Sequence, residues 1–133
     1  MSVRKALSLC AVLGFVVWLA ITVAFRFTGH LFFNPENTGV IVGLFVGVVP
    51  VMMLLTFSIY LILRIPPSGH SPASIAIALP GLLLDSAVFP LYSVVFPNVD
   101  PATDGLYAGL ALLAYASILL TPYLFRKKKK KAI

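Results

Sequence analysis

Four long apolar runs, each close to the length that crosses a lipid bilayer, limit what this chain can fold into. They cover about residues 6–25, 38–63, 73–96 and 102–125. A helix needs about 20 apolar residues to cross the hydrocarbon core. A chain inside the bilayer must satisfy its own backbone hydrogen bonds, and the shorter alternating segments of a β-barrel do not occur here. The sequence therefore predicts an all-α membrane bundle of four transmembrane helices with up-down topology, in one domain over residues 1–133.

The composition indicates a membrane protein with the lipid bilayer as its first partner. Hydrophobic residues make up 60% of the chain and charged residues 11%, whereas soluble domains have about 45–50% and about 25%. The net charge of +6 does not indicate nucleic acid, because the basic residues flank the apolar runs. The single cysteine, Cys10, excludes an internal disulfide and is expected to be a buried small hydrophobe. No cofactor is predicted.

Three of the predicted helices have a polar residue followed by proline at their start. The polar side chain can accept a hydrogen bond from a free N–H of the first turn. Proline suits the first helical position because the N–H that it lacks has no helical partner there. The pairs therefore predict where the second, third and fourth helices begin. They are Asn34 with Pro35, Ser71 with Pro72, and Asp100 with Pro101.

The basic residues are distributed unevenly between the two sides of the predicted bundle. With the N-terminus inside, nine of the ten Lys and Arg residues lie on the inner side, and only Arg26 lies on the other. The positive-inside rule then places both termini and the basic tail, residues 126–133, in the cytoplasm. The first run could instead be a cleaved signal peptide, but it is longer than the about 7–15 apolar residues of such a segment.

Glycines recur at every fourth position in two of the predicted helices. Such a row lets the backbone of another helix approach closely. Each row either packs inside the bundle or forms a contact in a homo-oligomer or with another membrane protein, and both interpretations stay open. The rows are Gly39, Gly43 and Gly47 in the second run, and Gly105 and Gly109 in the fourth.

Three prolines lie inside predicted helices, at Pro50, Pro80 and Pro90. Each removes an N–H and frees the carbonyl four residues earlier. The freed carbonyls either follow from the shape of the helices or line a hydrated cavity or ion site. His30 and His70 are expected to be solvated in loops on opposite sides of the membrane, so no metal site is predicted.

Asp85 lies near the middle of the third apolar run. An ionised carboxylate at the bilayer centre costs about 2.5–3.5 kcal/mol, and no Lys, Arg or His lies within a predicted span to pair with it. We therefore expect a protonated, neutral Asp85 that donates a hydrogen bond to a carbonyl or hydroxyl. By depth along the helices, the expected partners are Thr56, Tyr115 and the carbonyl of Val46.

The helical neighbours of Asp85 predict a face turned to the bundle interior, because Ser74, Ala78 and Gly81 are small or polar. Asp85 is then either a hydrogen-bond clasp between helices, worth about 1 kcal/mol, or a group that binds and releases a proton or cation during transport. A water-accessible cavity at Asp85 favours transport, and a dry, packed carboxyl favours the clasp.

The sequence hypothesis is a proton- or cation-linked, transporter-like protein that uses Asp85, Thr56 and Tyr115. The alternative is an accessory or assembly subunit of a membrane complex that docks through its glycine rows. An enzyme is not predicted, because no nucleophile–base pair or metal cluster occurs in the sequence.

The segment Leu79–Asp85, the sequence Phe96-Pro97-Asn98 and a Gly/Ala-rich last run resemble a family of uncharacterised bacterial four-helix membrane proteins. That family is known as a domain of unknown function. The resemblance implies a location in the bacterial inner membrane and implies no activity. The last four residues, Lys130 to Ile133, also fit an endoplasmic-reticulum retrieval signal, which would apply to a eukaryotic protein.

Overall fold

The computed structural model describes residues 3–32, 36, 38–97 and 99–124. Across these residues the chain is helical and contains no strand. Short 3-10 turns at Pro67–Gly69 and Pro101–Thr103 lead into the third and last helices. The helices are α1 (Val3–Phe32), α2 (Thr38–Ile62), α3 (His70–Val88), α4 (Tyr92–Val95) and α5 (Asp104–Leu124).

Four segments in the described part of the chain are long and apolar enough to cross a membrane. This confirms the predicted all-α membrane bundle of four transmembrane helices. Because α4 has only four residues, it belongs to the connection between α3 and α5. The segments are Val3–Gly29, Thr38–Ile62, Pro67–Val88 and Pro101–Leu124.

The long helices do not pack in chain order. α1 packs along α3, α3 packs against α5, and α5 packs along α2, whereas α1 and α2 meet only briefly. The closest backbone approach involves Gly14, where an added Cβ would lie 2.1 Å from the carbonyl oxygen of Ile77. α1 and α3 can therefore touch at this depth only because residue 14 has no side chain.

α1 is longer than the predicted run over residues 6–25. Its 30 residues span roughly 45 Å at about 1.5 Å per residue, more than the about 30 Å of a hydrocarbon core. The helix continues because the chain has no proline before Pro35. The basic residues Arg4, Lys5 and Arg26 are therefore helical and lie close to the ends of α1.

α3 ends earlier than predicted, at Val88 rather than near residue 96. The cause is Pro90, which has no N–H to bond the carbonyl of Ser86. The chain turns there and re-forms one short helix, α4. Tyr92 and Phe96, at 4% and 0% exposed, cover this irregular stretch, and non-helical backbone is tolerated in a membrane protein where the protein buries it.

The predicted start of the last helix is confirmed. The carboxylate Oδ1 of Asp100 accepts a hydrogen bond from the backbone N–H of Ala102 at 3.0 Å, and Pro101 takes the first position of the turn that leads into α5. Asp104 then lies in the first turn of α5, where the helix dipole favours a negative charge.

The predicted cap at Ser71 is wrong. α3 begins at His70 with Gly69 at its N-cap, because the preceding 3-10 turn already directs the chain into the helix. His70 is also not a solvated loop residue: its ring stacks on Tyr60 at a centroid distance of 3.9 Å, and its Nε2 lies 3.0 Å from the carbonyl of Ile65. The cap at residues 34–35 and the tail at residues 126–133 lie outside the described residues.

The glycine row of α2 faces away from the other helices. A Cβ added at Gly43 or Gly47 would meet no atom within 4 Å, and Gly39 is exposed. On α5, Gly105 is equally open, whereas a Cβ at Gly109 would lie 3.5 Å from the ring of Phe45. Of the five glycines, Gly109 therefore contributes to packing between α2 and α5.

The buried apolar residues form two clusters. The first surrounds Cys10, which is fully buried as predicted, and includes Ile59, Tyr60 and Ile77. The second is largely aromatic and lies where α1, α4 and the start of α5 meet, with Tyr92, Phe96 and Tyr107. Asp85 lies between the two clusters.

Candidate binding site at Asp85

Asp85 is buried, with 3% of its surface exposed, and lies three residues before the end of α3. Its partners Trp18 and Tyr115 lie near the middle of α1 and α5. The carboxyl group therefore lies at mid-height of those two helices, because α3 stops early. The predicted interior face is confirmed, since Ser74, Ala78 and Gly81 are buried with it.

Three donors converge on the carboxyl of Asp85. The Trp18 indole Nε1–H donates to Oδ1 at 2.9 Å, the Tyr107 hydroxyl donates to Oδ1 at 3.3 Å, and the Tyr115 hydroxyl donates to Oδ2 at 2.5 Å. An indole N–H can only donate, so Oδ1 must be an acceptor. The sequence predicts that Asp85 bonds to a carbonyl or a hydroxyl, and the structure places one of the expected hydroxyls, that of Tyr115, at Oδ2. It adds two partners at Oδ1, Trp18 and Tyr107.

Tyr115 reaches Asp85 because residue 81 is glycine. Gly81 lies one helical turn before Asp85 on the same face of α3. A Cβ added to Gly81 would lie 2.5 Å from the Tyr115 hydroxyl and 2.8 Å from a ring carbon. Any other residue at position 81 would therefore occupy the space through which the phenol approaches the carboxyl.

Tyr107 is held by the aromatic cluster. Its ring centroid lies 5.2 Å from that of Phe25, 5.7 Å from that of Phe89 and 5.0 Å from that of Phe96. Such contacts at about 4.5–7 Å are favourable aromatic pairs. The ring is thereby fixed with its hydroxyl directed at Asp85.

A cavity of about 140 Å³ adjoins the carboxyl and is lined by all four long helices. Its walls are largely apolar and include Val17, Met52, Leu55 and Leu110. The rings of Trp18, Tyr107 and Tyr115 and the carboxyl of Asp85 form one part of the wall. No Lys or Arg of the described residues lines this cavity.

Thr22 is a second polar residue on the cavity wall. It is 8% exposed, and its Oγ1 forms no well-aligned hydrogen bond with the described residues, although it lies near the Tyr107 hydroxyl. Buried hydroxyls in folded proteins normally have a partner. Thr22 therefore adds a polar residue to the cavity wall, but its hydroxyl oxygen is itself covered by neighbouring atoms.

Of the two side chains expected beside Asp85, the structure brings one there. Tyr115 contacts the carboxyl directly. Thr56 does not: it is fully buried and its hydroxyl donates to the carbonyl of Met52 at 2.7 Å, the usual bond of a helical threonine to its own preceding turn. Val46, whose carbonyl is the third expected partner, is 68% exposed. None of the residues whose carbonyls the inner prolines free, Val46, Ala76 and Ser86, lines the cavity.

The sequence interpretation missed Trp18, Tyr107 and Thr22. The position of Tyr107 close to the start of a span is typical of an interfacial aromatic residue, which is why the sequence does not indicate it as a partner of Asp85. Two features of the sequence indicate that Tyr107 and Trp18 face the interior of the bundle. Tyr107 and Tyr115 are eight residues apart, about two helical turns, with the small Ala111 between them. Trp18 lies in the middle of its helix, whereas membrane tryptophans are enriched at the interfaces.

The described residues include no group of three or more His, Cys, Asp or Glu side chains that could hold a metal ion. The site is therefore a single carboxyl among hydrogen-bond donors. A carboxyl group of this kind can accept a proton or pair with a cation that carries its own donors.

Comparison with known protein families assigns the chain to one of them. A family model described as a family of unknown function, DUF5367, matches residues 32–130. The chain belongs to the DUF5367 family. This confirms the resemblance to an uncharacterised domain. In this DUF5367 protein the matched region includes Asp85, Tyr107 and Tyr115, whereas Trp18 and Thr22 precede it. Neither the curated proteins nor the solved structures gave a match.

Proposed function

We propose that this protein is a non-enzymatic, transporter-like membrane protein in which Asp85 binds and releases a proton or a cation. The observation that carries the proposal is the carboxyl itself: it is buried beside a cavity and bonded to three donors, Trp18, Tyr107 and Tyr115. Ionisable residues inside membrane helices are rare and usually functional.

The partners of this carboxyl suit a group that exchanges a proton. All three are neutral, and the two phenols can either donate or accept a hydrogen bond. No lysine or arginine of the described residues lines the cavity to fix the charge permanently. The carboxyl can therefore change its charge without breaking an ion pair.

The protonated acid has a preferred oxygen. Oδ1 receives the indole N–H of Trp18, which cannot reverse its direction. Oδ2 receives only the hydroxyl of Tyr115, which can turn to accept instead. A proton on Oδ2 is therefore compatible with the existing geometry, with Tyr115 as the group that reorients.

The test uses Trp18, the one tryptophan of the chain, as an internal reporter. Protonation of Asp85 removes a negative charge next to the indole, so we expect a reversible change in Trp18 emission as pH falls in the purified, reconstituted protein. Asp85→Asn should abolish the change. Asp104→Asn, the same substitution at an exposed position, should leave it intact.

Proton movement is measured on the same variants in sealed vesicles with an internal pH dye and an imposed potassium diffusion potential. We expect faster dye response with the wild-type protein and with Asp104→Asn than with Asp85→Asn. An emission that does not change with pH in the wild type, together with equal flux in all variants, would leave Asp85 as a structural clasp and overturn the proposal.

A second candidate is the accessory or assembly subunit, and one observation favours it. The row Gly39, Gly43 and Gly47 has no neighbour within the bundle at Gly43 or Gly47, so it can receive another helix. Affinity purification in mild detergent tests this proposal. A stoichiometric membrane-protein partner or a homodimer that Gly43→Leu disrupts, while Gly105→Leu does not, supports docking through α2.

The proposed location is the bacterial inner membrane, following the resemblance of the segment Leu79–Asp85 and its surroundings. Fractionation of bacterial membranes containing the tagged protein tests it. Recovery with outer-membrane or soluble markers would contradict the proposed location.

A further inference from the structure

The volume of the cavity beside Asp85 sets the size of a molecule that can enter. A cavity of about 150 Å³ with apolar walls binds benzene in a well-studied engineered protein, and the cavity here has about 140 Å³. Its wall is made of side chains such as Val17, Leu55 and Leu110. It therefore suits a body of roughly six or seven non-hydrogen atoms that is apolar and compact.

The polar groups on the wall set the chemistry of the other end of that molecule. A carboxylate has about four acceptor positions on its two oxygens, and the three donors around Asp85 fill two on Oδ1 and one on Oδ2. The remaining position is on Oδ2. Oδ2 can therefore receive one further N–H donor.

The charge of the carboxyl favours a positive charge on that donor. Trp18, Tyr107 and Tyr115 line the cavity and meet the carboxyl with their N–H and O–H groups, which are neutral and do not compensate its negative charge. No lysine or arginine of the described part of the chain competes for this position. A buried carboxylate without a counter-ion is stabilised when a bound cation supplies one.

The cavity has an opening toward the apolar outer surface. Ile21 lines the cavity and is also 48% exposed. α1 and α2 both contribute to the wall, yet they meet only briefly. The aromatic cluster around Phe25 and Tyr107 closes one end of the cavity. The side of the cavity between α1 and α2 is therefore less closely packed than the sides at which α1 meets α3 and α2 meets α5.

We propose that this cavity binds a small lipophilic organic monocation, an amine with an apolar body of about the size of benzene. Its ammonium group contacts Oδ2 of Asp85, and the molecule enters from the bilayer between α1 and α2. The inference rests on the proposed function, since it names the cation that competes with the proton for Asp85.

Binding is tested on the full chain in lipid nanodiscs by Trp18 emission, with benzylamine as the probe. Benzyl alcohol is the matched neutral control, since it has the same ring and one hydroxyl in place of the amine. We expect benzylamine to give a saturable change and to bind tighter than benzyl alcohol by about tenfold or more, because only the amine pairs with the carboxylate.

Two kinds of substitution test separately the charge of Asp85 and the volume of the cavity. Asp85→Asn should remove the preference for benzylamine over benzyl alcohol, whereas Asp104→Asn should keep it. Ala111→Leu adds volume to the cavity wall at a residue that does not bond to Asp85. It should weaken binding of benzylamine while the pH-dependent change in Trp18 emission remains, which also reports that the variant is folded.

Equal binding of benzylamine and benzyl alcohol by the wild type would overturn the inference. If the pH response of Trp18 and the proton flux are then still present, the proposed function stands and Asp85 serves a proton alone. If benzylamine binding is retained in Asp85→Asn, the amine occupies another site, and the inference is equally overturned.

Discussion

At the scale of single residues, the unusual feature is a buried membrane carboxyl matched with neutral donors. Charged groups in membrane helices commonly pair with one another. Asp85 receives an indole and two phenols instead. Each phenol can reverse its hydrogen bond and the indole cannot. The site can therefore hold either charge state, with Tyr115 as the adjustable partner.

Tyr115→Phe tests this assignment. The substitution removes the one donor on Oδ2 and should cost about 1 kcal/mol of stability, in line with buried hydrogen bonds in membrane proteins. It should also change the pH at which Trp18 emission responds. Unfolding in detergent and the emission titration measure the two effects. An identical titration in Tyr115→Phe would contradict the role of Tyr115 in proton exchange.

Gly81→Ala is expected to disturb the hydrogen bond between Tyr115 and Asp85 from the side of α3. The new methyl group would overlap the Tyr115 hydroxyl, so the phenol must move away from Asp85. We expect a loss of stability of about 1–3 kcal/mol and an altered Trp18 emission. Gly105→Ala is the control, since its methyl group meets no atom within 4 Å and should be neutral or stabilising through helix propensity.

At the scale of elements, α1 contributes more to the site than its sequence suggests. It carries Trp18 and Thr22, and it is held to α3 by the close approach at Gly14. This helix precedes most of the region that matches the family. The geometry of the carboxyl therefore depends on a helix whose sequence is apolar and otherwise uninformative.

Gly14→Ala tests the dependence of the site on this helix pair. A methyl group would lie 2.1 Å from a backbone oxygen of α3, and a backbone cannot rotate aside as a side chain can. We expect a loss of about 1–3 kcal/mol or more, with Trp18 emission shifted toward that of a solvent-exposed indole. Gly47→Ala, on the open face of α2, should change neither. Equal effects of the two substitutions would show that α1 and α3 do not pack in this way.

Some element boundaries were predictable and others were not, for identifiable reasons. The start of α2 at Thr38 followed from the apolar run over residues 38–63, and the cap at Asp100 followed from a local signal. The end of α3 did not, because a proline in a membrane helix either kinks it or ends it, and Pro80 does not end α3 whereas Pro90 follows its last residue. Both prolines remove an N–H, but only after Pro90 do buried side chains, Tyr92 and Phe96, pack in a way that stabilises the end of the helix.

At the scale of the whole molecule, the fold was predictable because the solvent dictates it. Apolar length alone requires four helices. The partners of Asp85 were only partly predictable, because they depend on how each helix is rotated and on the packing order α1, α3, α5, α2. The sequence of a uniformly apolar helix carries little information about its rotation. Depth in the membrane alone therefore predicts Thr56 beside the carboxyl, whereas its hydroxyl bonds to a carbonyl of its own helix.

The orientation of the bundle is a further prediction of the sequence. The basic residues predict that the loop with Ser68 lies in the cytoplasm and the start of α5 with Asp104 on the other side. In a Cys10→Ala background, we expect a membrane-impermeant maleimide to label Asp104→Cys in intact cells. Ser68→Cys should react only after the membrane is permeabilised. The reverse pattern would invert the topology.

The helix order also has a consequence for synthesis. Chains emerge from the ribosome N-terminus first, so Asp85 enters the bilayer before Tyr107 and Tyr115 do. Of its three described donors, only Trp18 lies in a helix that precedes Asp85 into the bilayer. The indole is therefore the first group to shelter the carboxyl during insertion. Trp18→Phe should lower the yield of inserted protein more than it lowers the stability of the protein that does assemble.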